Sequence, residues 1–206
     1  MSWAYRTAED RLEIPKGNVK GHSVINKFGS NANSAQNTIE DVWDGGGTYP
    51  WATSATITHV SQSVNDATML GETIEVQGLN DSWDLVLQTV TLDGTDTTTL
   101  QALTTPLRRV FRVKVLADVV AAENVVVTNA AGSTTYAQII AGNNQTLMAL
   151  YTVPRNCTAY ITSYYYGYVR TVALDPTSVE FGLWVADRGN GYEFQIKNQK
   201  GLPHGS

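Results

Sequence analysis

Arg108-Arg-Val-Phe-Arg-Val-Lys-Val-Leu-Ala117 sets Phe111, Val113 and Val115 on one parity and Arg112 and Lys114 on the other. A period of two is that of a half-buried strand, whose successive side chains point to opposite faces of a sheet. The stretch therefore predicts a strand with the phenylalanine and valines inward and the cations outward. Towards the C-terminus the same period runs through residues 125–128, 135–140 and 146–153, separated by Asn129-Ala-Ala-Gly-Ser133 and Ala141-Gly-Asn-Asn144. In 158–166, Ala159, Ile161, Ser163 and Tyr165 oppose Tyr160, Thr162, Tyr164 and Tyr166. Val179, Phe181, Leu183 and Val185 then form a core face, Gly189-Asn-Gly191 turns the chain, and Tyr192, Phe194 and Ile196 return.

Towards the N-terminus, 84–92 places Leu85 and Leu87 on one face and Val86, Val90 and Leu92 on the other. Asp93-Gly94 predicts a hairpin turn into 95–100, since glycine accepts positive φ and aspartate tolerates it. Ile57 with Val60, and Ile74 with Val76, mark two short segments on either side of the polar run 61–71. After the first 38 residues no window keeps an i, i+3, i+4, i+7 apolar stripe with caps, so helices are expected to be few and short. No fixed repeat is visible, which weighs against a propeller or solenoid. Strands at this spacing, parted by Gly and Asn turns, predict an all-β, antiparallel β-sandwich of jelly-roll-like type. Pro106 and residues 118–124 are the places where a seam between two sub-sheets is expected.

Residues 1–38 differ from this body, taken as 39–206. Five basic residues fall there (Arg6, Arg11, Lys16, Lys20, Lys27), and Pro15, Gly17, Gly21, Gly29 and the Asn- and Ser-rich run 30–37 interrupt any regular element. This reads as an extended arm. Trp3, Tyr5, Ile14, Val24, Ile25 and Phe28 need cover from the body or from a neighbour, and arms that order on assembly lock subunits by wrapping large surfaces. Trp3, Tyr5, Arg6, Arg11, Lys16, Lys20 and Phe28 are accordingly the candidate assembly residues of the arm.

The chain has 206 residues and a net charge of -5, with 16% charged and 42% hydrophobic residues, a composition that folds rather than stays disordered. Mild acidity argues against direct nucleic-acid binding, whose affinity comes from clustered Lys and Arg. No apolar run approaches the ~20 residues of a membrane span. The first residues lack the apolar core of a secretory signal, so the chain is expected to be made and kept in a cytoplasm. Cys157, the single cysteine, excludes an internal disulfide and a cysteine-cluster zinc site.

Chemistry has few ingredients. No nucleophile elbow, phosphate-binding loop, His-Glu-x-x-His or paired-cysteine motif occurs. His59 reads as a strand histidine and Cys157 as an inert residue at a turn. Asp41-Val-Trp-Asp44 before three glycines, and Asn80-Asp-Ser-Trp-Asp84, space oxygens in a way that faintly resembles a calcium loop, but both lack its full pattern and Asx turns are preferred. No catalytic residue, cofactor or metal is expected. Tyr160, Tyr164 and Tyr166, among Tyr165 and Tyr168, with Trp184 on the exposed parity of its strand, suit the sandwich core or a subunit interface; sugar stacking is the alternative.

The segments Ser23-Val-Ile-Asn-Lys-Phe-Gly29, Thr38-Ile-Glu-Asp-Val-Trp-Asp-Gly-Gly-Gly-Thr-Tyr-Pro50, Glu72-Thr-Ile-Glu-Val-Gln-Gly-Leu-Asn80, Thr89-Val-Thr-Leu-Asp-Gly94 and Asn144-Gln-Thr-Leu-Met-Ala-Leu-Tyr-Thr-Val-Pro154 resemble a widespread family of virion structural proteins of marine and other aquatic phages. The likeness runs from about residue 20 to residue 197. It implies a particle component without enzymatic activity, and it assigns no residue a role. Within a virion, the arm and aromatic surface fit a capsid decoration or cement protein that binds the shell, with a homotrimer suggested by symmetry alone. A tail, neck or fibre-anchoring component and a receptor- or glycan-binding module are the alternatives.

Overall fold

The computed structural model describes residues 10–35, 37–64, 66–93, 100–169, 178–187, 189 and 191–203. Nearly all regular structure in them is antiparallel β. The helical elements described are one turn, α1 (Asp10–Glu13), and a 3-10 turn at Ala67–Met69. The strands are β1 (Ile57–Gln62), β2 (Thr73–Leu79), β3 (Leu85–Thr91), β4 (Gln101–Leu107), β5 (Arg109–Val115), β6 (Val125–Thr128), β7 (Thr135–Ile139), β8 (Ser178–Ala186) and β9 (Phe194–Pro203). They fall into two compact units, 1–157 and 158–206.

The first unit is a sandwich. One sheet has the order β4-β1-β6-β7 and the other β3-β2-β5. Val60, Val127 and Ile139 from the first sheet meet Ile74, Val76 and Val113 from the second in a single core, joined by Met69, Leu107 and Met148. Pro106 sits within β4, where it is tolerated because β4 is an edge strand. The same edge is blocked by Gln88, whose amide donates to the Thr105 carbonyl and accepts from the Thr105 N–H, both at 2.9 Å. Residues 118–124 lie inside this unit. Ala121 is fully buried, and Asp66 stitches the segment in by accepting from the N–H groups of Ala122 and Glu123 at 2.8 and 3.1 Å. Burial works against the Asp66 charge, but these bonds and those from Thr68 outweigh it and hold the carboxyl below its ordinary range.

Two local expectations change, and a third, the hairpin into 95–100, cannot be followed among the described residues. β3 pairs with β2 over its whole length, from Leu85↔Leu79 to Thr91↔Thr73, and β4 pairs with β1 in the other sheet. The anticipated hairpin partner 95–100 lies mostly outside the described residues. In β5 a bulge opposite Gln77/Gly78 makes Phe111 the extra residue, so Val110 joins Val113 and Val115 in the core. Phe111 is buried instead against Tyr151, with ring centroids 4.9 Å apart. Finally, 146–153 forms no strand; it holds the isolated bridge Trp43↔Met148, with Lys114↔Gln145 just before it. The segment divides its hydrogen bonds among β5, Asp44, Ser30 and Val42, and a divided set cannot build one ladder.

The second unit contains the hairpin β8–β9, in register from Ser178↔Pro203 to Ala186↔Phe194 with one irregularity at Leu183/Trp184. Residues 158–166, read as a strand from their alternation, are irregular here, as are 167–169. No large apolar residue described in this unit is fully buried, which is expected of two strands, since an isolated hairpin cannot enclose a core.

Candidate assembly surfaces

The root of the arm is built into the sandwich. Residues 22–30 run without turn, bend or ladder, and within them Lys27, Phe28 and Gly29 meet the body. Lys27 Nζ donates to the carbonyl of Phe111, the residue that the bulge left out of the β2–β5 ladder. The same ammonium lies 6.0 Å from the Phe111 ring centroid, while the Arg112 guanidinium lies 5.8 Å from the Phe28 ring centroid. The dipeptides Lys27-Phe28 and Phe111-Arg112 thus interlock, each cation over the other's ring. Next in line, Ser30 N–H donates to the Leu147 carbonyl at 3.2 Å. Asn31 Nδ2 donates to Glu40 Oε2 at 2.7 Å and to the Asp41 carbonyl at 3.3 Å. Gly29 leaves no room for a side chain, since a Cβ would stand 2.3 Å from Ala149 N and 2.5 Å from the Val42 carbonyl oxygen.

Burial, and secondarily the Arg112 charge, lower the Lys27 pKa from 10.5 to about 8. Below pH about 8 the folded chain bears the whole cost of that buried charge. Between about 8 and 10.5 the unfolded chain still holds a proton that the folded one has lost, so stability rises with pH across this window. Urea unfolding is expected to show a gain on the order of 3 kcal/mol from this group, and Lys27→Met is expected to flatten the slope.

Of the remaining arm residues, Lys16 is exposed and pairs with Glu13 at 2.9 Å, and Lys20 is exposed. Trp3, Tyr5 and Arg6, and the side chain of Arg11, lie outside the described residues. Val24 and Ile25 are 58% and 53% exposed, so the described body leaves the outer half of the arm root largely uncovered.

Both carboxylate stretches form turns. Asp41 Oδ2 accepts from Tyr49 N–H at 2.7 Å, and Asn80 Oδ1 accepts from the N–H groups of Ser82 and Asp84, both at 2.9 Å. Asp81 pairs with Arg108 at 3.0 Å and Asp84 with Arg155 at 2.5 Å. Asp44 is different: Oδ2 accepts from Leu147 N–H at 2.5 Å, Oδ1 has no partner among the described residues, and burial pushes the carboxyl up to about 6. His59 lies in β1, with Thr58 Oγ1 2.8 Å from its Nδ1, and Cys157 is exposed.

One cluster was not anticipated from the sequence. Trp43, Tyr49 and Trp51 pack edge to face at 5.1 and 4.8 Å, and the Arg109 guanidinium stands 5.2 Å from both Trp51 and Trp83. Arg108 adds a second cation 4.9 Å from Trp83. Arg109 also donates to the Ala52 carbonyl, while its Nε is buried without a partner among the described residues. Adjacent arginines before an alternating strand, with tryptophans at the ends of other segments, were the available signal. Arg109→Lys replaces a planar fork by a point charge and is expected to cost about 2 kcal/mol in urea unfolding.

In the second unit Tyr166 stacks on Phe181 at 4.9 Å and Tyr164 follows at 5.9 Å. Tyr160 and Tyr165 are 84% and 92% exposed. Trp184 folds back over Gly182, among the exposed register positions of β8, whereas Phe181 is at a half-buried one. The tyrosines and Trp184 therefore do not form one patch. A shallow groove of about 470 Å³ is lined by Tyr164, Tyr165, Leu183 and Lys197 among others. No protein family, curated protein or solved structure matches the chain.

Proposed function

We propose that this chain is a non-enzymatic structural protein of a phage virion, a decoration or cement protein that holds the shell through its arm and an aromatic surface. The observation that carries this reading is the division of labour in the chain. The sandwich encloses an aliphatic core and blocks an edge strand with Gln88 while leaving Leu85 and Leu87 of β3 exposed, and the arm root and the tyrosine segment leave further large apolar residues in solvent. Such residues clustered on appendages are typical of surfaces that become buried on assembly. The motif resemblance supplies the virion context. The chain acts as a homo-oligomer or beside other virion proteins, with no cofactor, and resides in the particle after synthesis in the host cytoplasm. Mass spectrometry of purified particles with and without tails tests this: retention of the chain in tailless heads is expected, and its loss with the tails would favour a tail or neck component.

A second reading rests on the exposed Tyr165 and the groove beside Tyr164, which offer ring faces and the hydroxyls of Thr162 and Ser163 to a sugar. Glycan-array binding abolished by Tyr164→Ala would favour it, and an array with no signal would remove it.

A further inference from the structure

We propose that the interlocked pair Lys27 and Arg112 is a docking site for a carboxylate presented by an acidic polypeptide segment of a partner protein. The proposal rests on the assembly reading and names the chemistry of the partner.

Lys27 and Arg112 come from segments far apart in sequence and are brought together by their reciprocal stacking on Phe111 and Phe28. Lys27 bonds to a backbone carbonyl, and Arg112 Nη2 donates to Gln145 Oε1 at 3.2 Å. Among the described residues neither cation has an ion pair. The nearby carboxylate on the same face, Glu75, pairs with Lys114 at 2.9 Å and also feels the Arg112 charge, without coming within ion-pair distance of it. This is unusual in a chain that carries 19 acidic against 14 basic residues. The pair also raises the cost of keeping Lys27 charged, which an incoming anion relieves.

The flanks say what kind of anion. The strand register places Leu87, Gln77 and Arg112 in one row across β3, β2 and β5, and Phe28 lies on Arg112 at the end of that row. Leu85 and Leu87 are 61% and 62% exposed. Arg112, with Phe28 on one side and Leu87 beyond Gln77 on the other, suits aspartate or glutamate between apolar side chains. It is too short a basic track for a nucleic-acid backbone, which draws its affinity from many phosphate contacts.

The test uses the purified full chain. The probes are a capped hexapeptide alternating aspartate with leucine, its asparagine counterpart, and a short oligothymidylate, with Lys27 and Arg112 side-chain NMR signals as the readout. Binding of the acidic peptide is expected to move both signals and raise the pH at which Lys27 titrates. Arg112→Gln and Lys27→Gln are each expected to weaken that peptide about tenfold, the size of one charge-assisted contact, with the sandwich spectrum unchanged. Equal binding of the asparagine peptide, binding of oligothymidylate alone, indifference to both substitutions, or no binding at millimolar peptide would overturn the proposal. None of these outcomes bears on whether the chain is found in particles, which the particle measurements decide separately.

Discussion

Gly78→Ala is expected to destabilise the sandwich by about 3 kcal/mol or more, among the largest effects a single methyl can have. Gly78 lies in the middle sheet strand β2, opposite the bulge of β5. A Cβ there would stand 2.1 Å from the Arg109 carbonyl oxygen and 2.8 Å from Leu107 Cδ1. The first of these neighbours is backbone, so relief requires β5 to move away from β2. That movement disturbs Val110 in the core and the Phe111 carbonyl that receives Lys27. The expected signature in urea is a lower midpoint together with weaker retention of the arm root, seen as faster proteolysis near residue 26. A midpoint within error of the parent would mean that the β2–β5 bulge is not held as described.

Removing the arm is expected to abolish incorporation into particles while leaving a folded, β-rich body. The site of the cut matters. A deletion through residue 30 also removes Lys27 and Ser30, leaving the Phe111 and Leu147 carbonyls without their donors. Losing these part-buried bonds weakens the fold, so that deletion confounds anchoring with stability. Cutting after Asn26 spares the interlocked clasp and takes away, next to it, residues 20–26, which are exposed. Circular dichroism and urea midpoints close to the parent, with loss of the chain from purified particles, is the expected pair of results. Full incorporation of the shortened chain would contradict an anchoring role for the arm.

The strands were legible because each is a local pattern: alternation marked β2, β3, β5, β6 and β7 within a few residues of their ends. Pairing was not, because partners are set by long-range packing. The pattern did not show that β3 lies against β2, nor that β4 belongs to the other sheet. The bulge at Phe111 escaped notice since Val110-Phe111 reads equally well on either parity; only the close approach of Gly78 to Arg109 shows which residue is extra. Residues 146–153 alternate like a strand but serve as a clasp for several segments at once.

The candidate surfaces were legible to a similar degree. Phe28 was singled out as an anchor, and it does engage the body, but its partner Arg112 had been read only as an outward-facing strand cation. Arg109 and its tryptophans come from segments that approach only in the fold, so no spacing rule connects them. The tyrosine run was visible as composition. That Tyr166 is spent on Phe181 while Tyr160 and Tyr165 remain exposed is decided by the hairpin beneath them.

The most direct test of the virion role is cryo-electron microscopy of intact particles at a resolution that distinguishes side chains. A shell decoration protein appears as many copies of the sandwich repeated over the outside of the head, with residues 10–28 and the tyrosine segment buried against the shell or neighbouring copies. Density for the sandwich confined to the tail or neck, or none anywhere in the particle, would contradict it.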